Sequence, residues 1–259
     1  MGATFGAGFV IGPALGGFLG EYGLRLPFYA AAALAFANAL YGIFVLPESL
    51  QPEDRRPVSW ARANPFGLLR NVWRDPALRR MAVAWSCSWI GLGAVQSSLV
   101  LFTRYSFGWG AAANGWVLAG IGASQAVAEG FLLGFVTARL GERHTAMLGY
   151  AVGAAGYAVL SLALAGWTVA PAVALLALGG LAVLSVRAMV SARGDVDNQG
   201  EMQGVLTAVE GLTAVVAPLL TAWLFYAFTS PALPLHFGGA PFMLAAGAAL
   251  TAGVLLRRM

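Results

Sequence analysis

The sequence predicts an all-α polytopic membrane protein of about eight transmembrane helices, on three observations. Of 259 residues, 59% are hydrophobic and only 10% charged, against about 25% charged in a soluble domain. Residues 1–20, 26–47, 81–103, 105–128, 144–186 and 211–256 contain no Asp, Glu, Lys or Arg, and a helix crosses a bilayer with about 20 apolar residues. These runs are continuously apolar, whereas strands of an outer-membrane barrel alternate. The mean hydropathy of +0.75 argues against disorder, and the lone Cys87 leaves no intrachain disulfide framework.

The two longest runs each hold two spans, divided at Gly166-Trp167 and between Ser230-Pro231 and Pro234, because Gly and Pro mark turns. Helices are therefore expected at 2–20, 27–46, 81–103, 115–137, 145–165, 169–190, 203–226 and 241–256. The first carries Gly8, Gly12 and Gly16 on one face with Pro13 and Gly17 beside them. Small residues four apart let helices approach closely, and a proline frees a carbonyl and kinks the span. The second places Asn38 and Tyr41 three apart, as cavity candidates or as ordinary interface residues. Residues 48–80 form a linker holding seven of the fifteen arginines. Within it Trp60, Phe66, Leu68, Leu69, Val72 and Trp73 fit either a short surface helix or an exposed loop with a helical turn. The third helix aligns Trp85, Trp89 and Gln96, a face suited to planar ligands or cations or to interfacial anchoring.

All fifteen basic residues are arginine. Assigning alternate connections to opposite sides puts 13 of the 15 on one side and leaves Arg25 and Arg104 on the other. Basic flanks stay in the cytoplasm, so both termini and the linker are expected inside, in a cell inner (plasma) membrane. The basic pI follows from that topology and gives no reason to expect a nucleic-acid partner.

The fourth helix carries Glu129, about nine residues or about 13 Å from its cytoplasmic end. A charged group there costs several kcal/mol unless neutralised or hydrated. A carboxyl that is neutral while dry and releases its proton when water arrives is a proton-coupling candidate; the alternative is an inert protonated Glu bonded to a neighbouring helix. Gln125, one turn away, is a substrate-cavity candidate. Glu210 is shallower, about 10 Å in from Gln203, which suits gating or structure. Arg187 can snorkel, or pair with Glu210 or Asp197.

Three strings carry a family resemblance. Gly8-Phe-Val-Ile-Gly12-Pro13-Ala-Leu-Gly16-Gly17 resembles the antiporter signature GxxxGPxxGG of drug:proton antiporters in the major facilitator superfamily. Gly134-Phe-Val-Thr-Ala138-Arg139-Leu-Gly141-Glu142-Arg143 resembles that superfamily's GxxxDRxGR(R/K) cytoplasmic-loop motif, with Ala138 in place of the Asp. Asp195-Val-Asp197-Asn198-Gln199-Gly200-Glu201-Met202-Gln203-Gly204 is similar to the D-x-x-x-QGxxQG stretch of tetracycline-type efflux proteins. With Pro27-Phe28, Pro47-Glu48-Ser49 and Asn64-Pro65, the likeness runs over essentially the whole chain, as helices 5 to 12 of that family with the first four helices missing. It implies a major facilitator superfamily-like fold in which 1–47 are the last two helices of the N-terminal half, 48–80 the linker and 81–259 the six-helix C-terminal half. Departures matter: the family's His in the fourth helix corresponds to Gln125 and the acidic residue of the next helix to Gly153. Tetracycline is thereby a weaker expectation as substrate, and Glu129 stands where Gln is common.

The function implied is secondary transport, a proton-driven efflux of a small amphipathic compound by alternating access. It needs no cofactor beyond a proton gradient and no metal; its partners are the small-molecule substrate, the lipid bilayer and, in one reading, a chain supplying the missing four helices. The alternative is an inactive or partner-requiring membrane fragment. A membrane-embedded enzyme is least supported, since His144 and His236 lie on opposite sides and a phosphate loop needs the lysine that this sequence lacks.

Overall fold

The computed structural model describes residues 8, 11–12, 15–20, 22–47, 74–193, 199–231 and 236–259, and for 199–201 the backbone alone. The surface-helix segment 60–73, Pro13, Glu48, Asn64-Pro65, Asp195 and Asp197 lie outside these residues. The described residues between 8 and 22 are helical. The helices after them are α1 (Leu26–Phe44), α2 (Pro76–Phe107), α3 (Ala111–Val127), α4 (Leu133–Ser161), α5 (Val169–Gly179), α6 (Leu181–Ser191), α7 (Gln199–Thr229) and α8 (Ala240–Arg257). Among the described residues six helical stretches are long and apolar enough to cross a membrane, one of which, Ala111–Ser161, is two helices meeting at Gly141.

Local chemistry explains the boundaries. Helix α2 begins at Pro76, five residues before the expected 81, because Asp75 caps it: its Oδ1 accepts from the Ala77 N–H at 2.8 Å, and Pro76 needs no partner in the first turn. It ends at Gly108, whose φ of +69° suits glycine. The chain reverses within α4 at Gly141, with φ +74°. The expected helix over 169–190 is divided at Gly180, and α7 is longer than expected, passing through Pro218.

Helices in lipid gain little from hydrophobicity when they associate, so close contact and hydrogen bonds hold the bundle. The packing residues are accordingly small: Ala84, Ala94, Ala146, Ala172, Ala245 and Ala252 are fully buried. Helix α8 packs on α2 and α4, α7 on α2, and α4 on α5 and α6. Gly93 of α2 lies against Ala217-Pro218 of α7, and one turn on Ser97 Oγ meets Thr221 Oγ1 at 2.7 Å. Two cores result, one around Trp85, Val186 and Leu256 and one around Phe102, Leu160 and Phe242. By contrast α1 buries none of its residues.

One end of the bundle gathers arginines. Arg193 pairs with Asp75 at 3.0 Å, joining α6 to the start of α2. Arg143 donates to the Leu256 and Arg257 carbonyls at 3.0 and 2.7 Å, and Arg80 to the Arg258 carbonyl at 2.6 Å. The Arg80 and Arg143 guanidinium groups meet the negative end of α8, where unpaired carbonyls favour a cation.

Candidate functional site

Between the two cores lies a cavity of about 220 Å3. Helix α2 supplies Cys87, Ser88, Trp89 and Gln96; the end of α3 and the turn after it supply Gln125 and Glu129. The second part of α4 adds Tyr150, Gly153 and Tyr157, and the α5–α6 junction adds Gly179 and Gly180. Among the described residues Glu129 is the one acid on this lining, and no described basic residue shares it. The cavity therefore suits a neutral or positively charged ligand better than an anion.

Glu129 sits in a π turn, Ala128–Leu132, where the Leu133 N–H reaches the Ala128 carbonyl five residues back. Such turns inside α-helices occur often at functional sites. Because the helix runs on to Gly141, Glu129 is twelve residues from that break, about 18 Å by helix rise and deeper than the sequence suggests. The Gln125 amide lies beside Gly180, where a Cβ would be 3.7 Å from its Nε2.

Four of the substrate and proton candidates, Gln96, Trp89, Gln125 and Glu129, thus come together. Asn38 and Tyr41 do not: they lie exposed on α1, outside the cavity. Trp85 belongs to the core, edge-to-face with Trp89 at 6.4 Å, and neither indole N–H has a partner among the described residues. In the glycine signature, Gly8, Gly12 and Gly16 face open space, while Gly17 approaches the Cα of Gly115 in α3. In the loop motif, Gly134 is exposed, Arg139 stacks over the Phe135 ring at 3.9 Å, and Gly141 and Arg143 turn and anchor the chain as described above. Arg187 donates to Gln203 Oε1 at 3.3 Å, and Gln203 in turn to Ser191 Oγ, so its partner is neither Glu210 nor any other described acid. Glu210 is half-buried and lies eleven residues into α7, about 16 Å.

Sequence reasoning missed Ser88, Tyr150 and Tyr157. Their signal was the spacing of Gly149, Tyr150, Gly153, Gly156 and Tyr157, in which glycines mark close packing and the tyrosines share a face seven residues apart. Tyr150 Oη donates to the Ala84 carbonyl at 2.8 Å and meets Ser88 Oγ at 2.7 Å, tying α4 to α2. Gly153 packs on Gly179, with the Cα of Gly179 3.3 Å from where a Cβ would stand. A Cβ at 153 would therefore press on the Gly179 backbone, which would have to give by a few tenths of an ångström.

A family model described as the Major Facilitator Superfamily matches residues 1–128. The chain is 36% identical over 231 residues to the tetracycline resistance protein, class C, of Escherichia coli, covering 89% of this chain and 58% of that protein. It is 39% identical over 225 residues to the class G tetracycline resistance protein of Vibrio anguillarum, covering 85% and 56%, and 30% identical over 238 residues to the human hippocampus abundant transcript 1 protein, covering 87% and 47%. The chain thus spans about half the length of the curated relatives it matches. Its fold matches the crystal structure of the human organic anion transporter MFSD10 (TETRAN) with a TM-score of 0.75 at 21% identity, over 98% of this chain and 62% of that one. With helices, loop motif and relatives in agreement, the chain is a multi-pass membrane protein with a Major Facilitator Superfamily-like fold, similar to the tetracycline resistance proteins.

Proposed function

We propose that this chain carries the binding cavity and the proton-coupling group of a secondary transporter that exports small amphipathic, neutral or cationic compounds in exchange for protons. The observation that carries the reading is Glu129, the single carboxyl, with no basic residue beside it, among the described residues on the wall of a mid-bundle cavity. A carboxyl in that position is neutral while the cavity is dry; when the cavity opens to water it can release the proton, and the anion then holds a cation until the next protonation. Trp89 offers an aromatic wall and Gln96 and Gln125 amides that orient the ligand. The similarity to tetracycline resistance proteins supports a drug as the cargo. At about 220 Å3 the cavity is below the roughly 300–1,000 Å3 of pockets for drug-sized ligands, so loading requires it to widen, as rocking of two halves would do. The arginine-rich end faces the cytoplasm of an inner or plasma membrane in this reading, with both termini on that side.

Everted vesicles carrying the chain should show ionophore-sensitive uptake of a fluorescent aromatic cation, and Glu129→Gln should cut it at least about tenfold. An unchanged rate in that variant removes Glu129 from the mechanism. A second reading, that transport requires further helices from a partner chain, is favoured by the exposure of α1, which buries none of its residues. Uptake by the purified chain reconstituted alone separates the two.

A further inference from the structure

Among the polar groups on the cavity wall for which the export reading has no role, Tyr157 is the phenol with no hydrogen bond among the described residues. Tyr157 lies on its wall, and the phenol extends across to α2 at Gly91. A Cβ on Gly91 would overlap the Tyr157 hydroxyl and lie 2.7 Å from Cζ, so glycine leaves the notch in which the ring end sits. Tyr150, seven residues earlier on the same helix face, has its hydroxyl committed to Ala84 and Ser88. The Tyr157 hydroxyl has no hydrogen-bond partner among the described residues. A fully buried phenol ordinarily finds one; the Tyr157 oxygen is not among the fully buried unpaired atoms, and the half-buried residue keeps accessible surface with which to meet a ligand. Tyr157 is sixteen residues beyond Gly141, about 24 Å, and Glu129 twelve residues before it, about 18 Å, so the two groups stand at neighbouring depths on the same cavity.

We propose that Tyr157, seated by Gly91, is a specificity-determining residue: its hydroxyl donates to a carbonyl or ester oxygen of a ligand whose cationic part faces Glu129. The ligand class is then an aromatic cation with a hydrogen-bond acceptor, selected over aromatic cations without one. Gly91 is a positioning residue, since it acts through the phenol. The inference rests on the cavity being the binding site of the export reading, and goes beyond it in assigning what the site discriminates.

The test is equilibrium binding to the purified full chain of two aromatic cations: rhodamine 6G, which carries an ester, and tetraphenylphosphonium, which has no acceptor. Tyr157→Phe keeps the ring and its packing and should weaken rhodamine 6G about three- to tenfold while leaving tetraphenylphosphonium unchanged. Gly91→Ala should shift selectivity the same way. Equal loss for both cations, or no loss for either, in Tyr157→Phe overturns the assignment. Selective loss in Tyr157→Phe with binding of both cations indifferent to Glu129→Gln keeps the subsite and overturns the role given to Glu129. Failure of both cations to bind the unmodified chain overturns the cavity as a cation site and the subsite with it.

Discussion

At the scale of single residues, the end of the bundle that gathers arginines is tuned by Asp75. Its carboxyl is held below the ordinary 3.8, first by the Ala77 N–H at the start of α2 and less by Arg193. A carboxyl lowered in the folded state stabilises the fold at pH values above that of the unfolded group, and loses the effect as pH falls from 3.8 toward the folded value. Asp75→Ala should cost about 0.5–2 kcal/mol at neutral pH, mainly through the lost cap. Asp75→Asn, which keeps an N-cap acceptor, should cost less and flatten the acid limb of a thermal-unfolding series in detergent. Glu129 and Gln125 were legible as a cavity pair because polar groups deep within an apolar span are costly. Tyr157 was not, because a tyrosine in such a run looks like ordinary packing until Gly91 and the unpaired hydroxyl are seen together.

At the scale of elements, small residues decide which helices touch. Gly149 is in contact with the backbone of α6, where a Cβ would stand 2.6 Å from the Ala182 nitrogen. Gly149→Ala should therefore lower stability by about 1–3 kcal/mol, read as a drop in the melting midpoint. Gly247→Ala on α8, where nothing lies within 4 Å, should leave the midpoint unchanged or raise it. Charge-free runs located the helices well, since bilayer thickness sets their length. Their ends were less legible: α2 starts at Pro76, capped by Asp75, and α4 stops at Ser161 because of caps and contacts that hydropathy does not register. The π turn at Glu129 and the break at Gly180 were invisible for the same reason, both being local shifts of hydrogen bonding within apolar sequence.

At the scale of the whole molecule, the fold gathers Arg80, Arg143 and Arg193 with the end of α8, while Trp167 lies at the opposite end, exposed. In a Cys87→Ser background, an impermeant maleimide applied to intact cells should label Trp167→Cys and spare His144→Cys until the membrane is permeabilised; the reverse pattern would invert the orientation proposed above. Cys87 itself, on the cavity wall and 8% exposed, should react slowly with a small permeant maleimide and more slowly still with rhodamine 6G bound. That the chain spans a membrane repeatedly, where its helices run and which family it resembles could all be read from the amino-acid sequence. Those properties depend on composition, helix-length apolar runs and contiguous motifs, all of which are local. Only the tertiary structure decided which polar residues share one cavity. It set Asn38 and Tyr41 apart from Glu129 and brought Tyr157 toward it, because membership of a cavity depends on how helices cross, and crossing is set by backbone contacts such as Gly153 with Gly179 that no single helix contains.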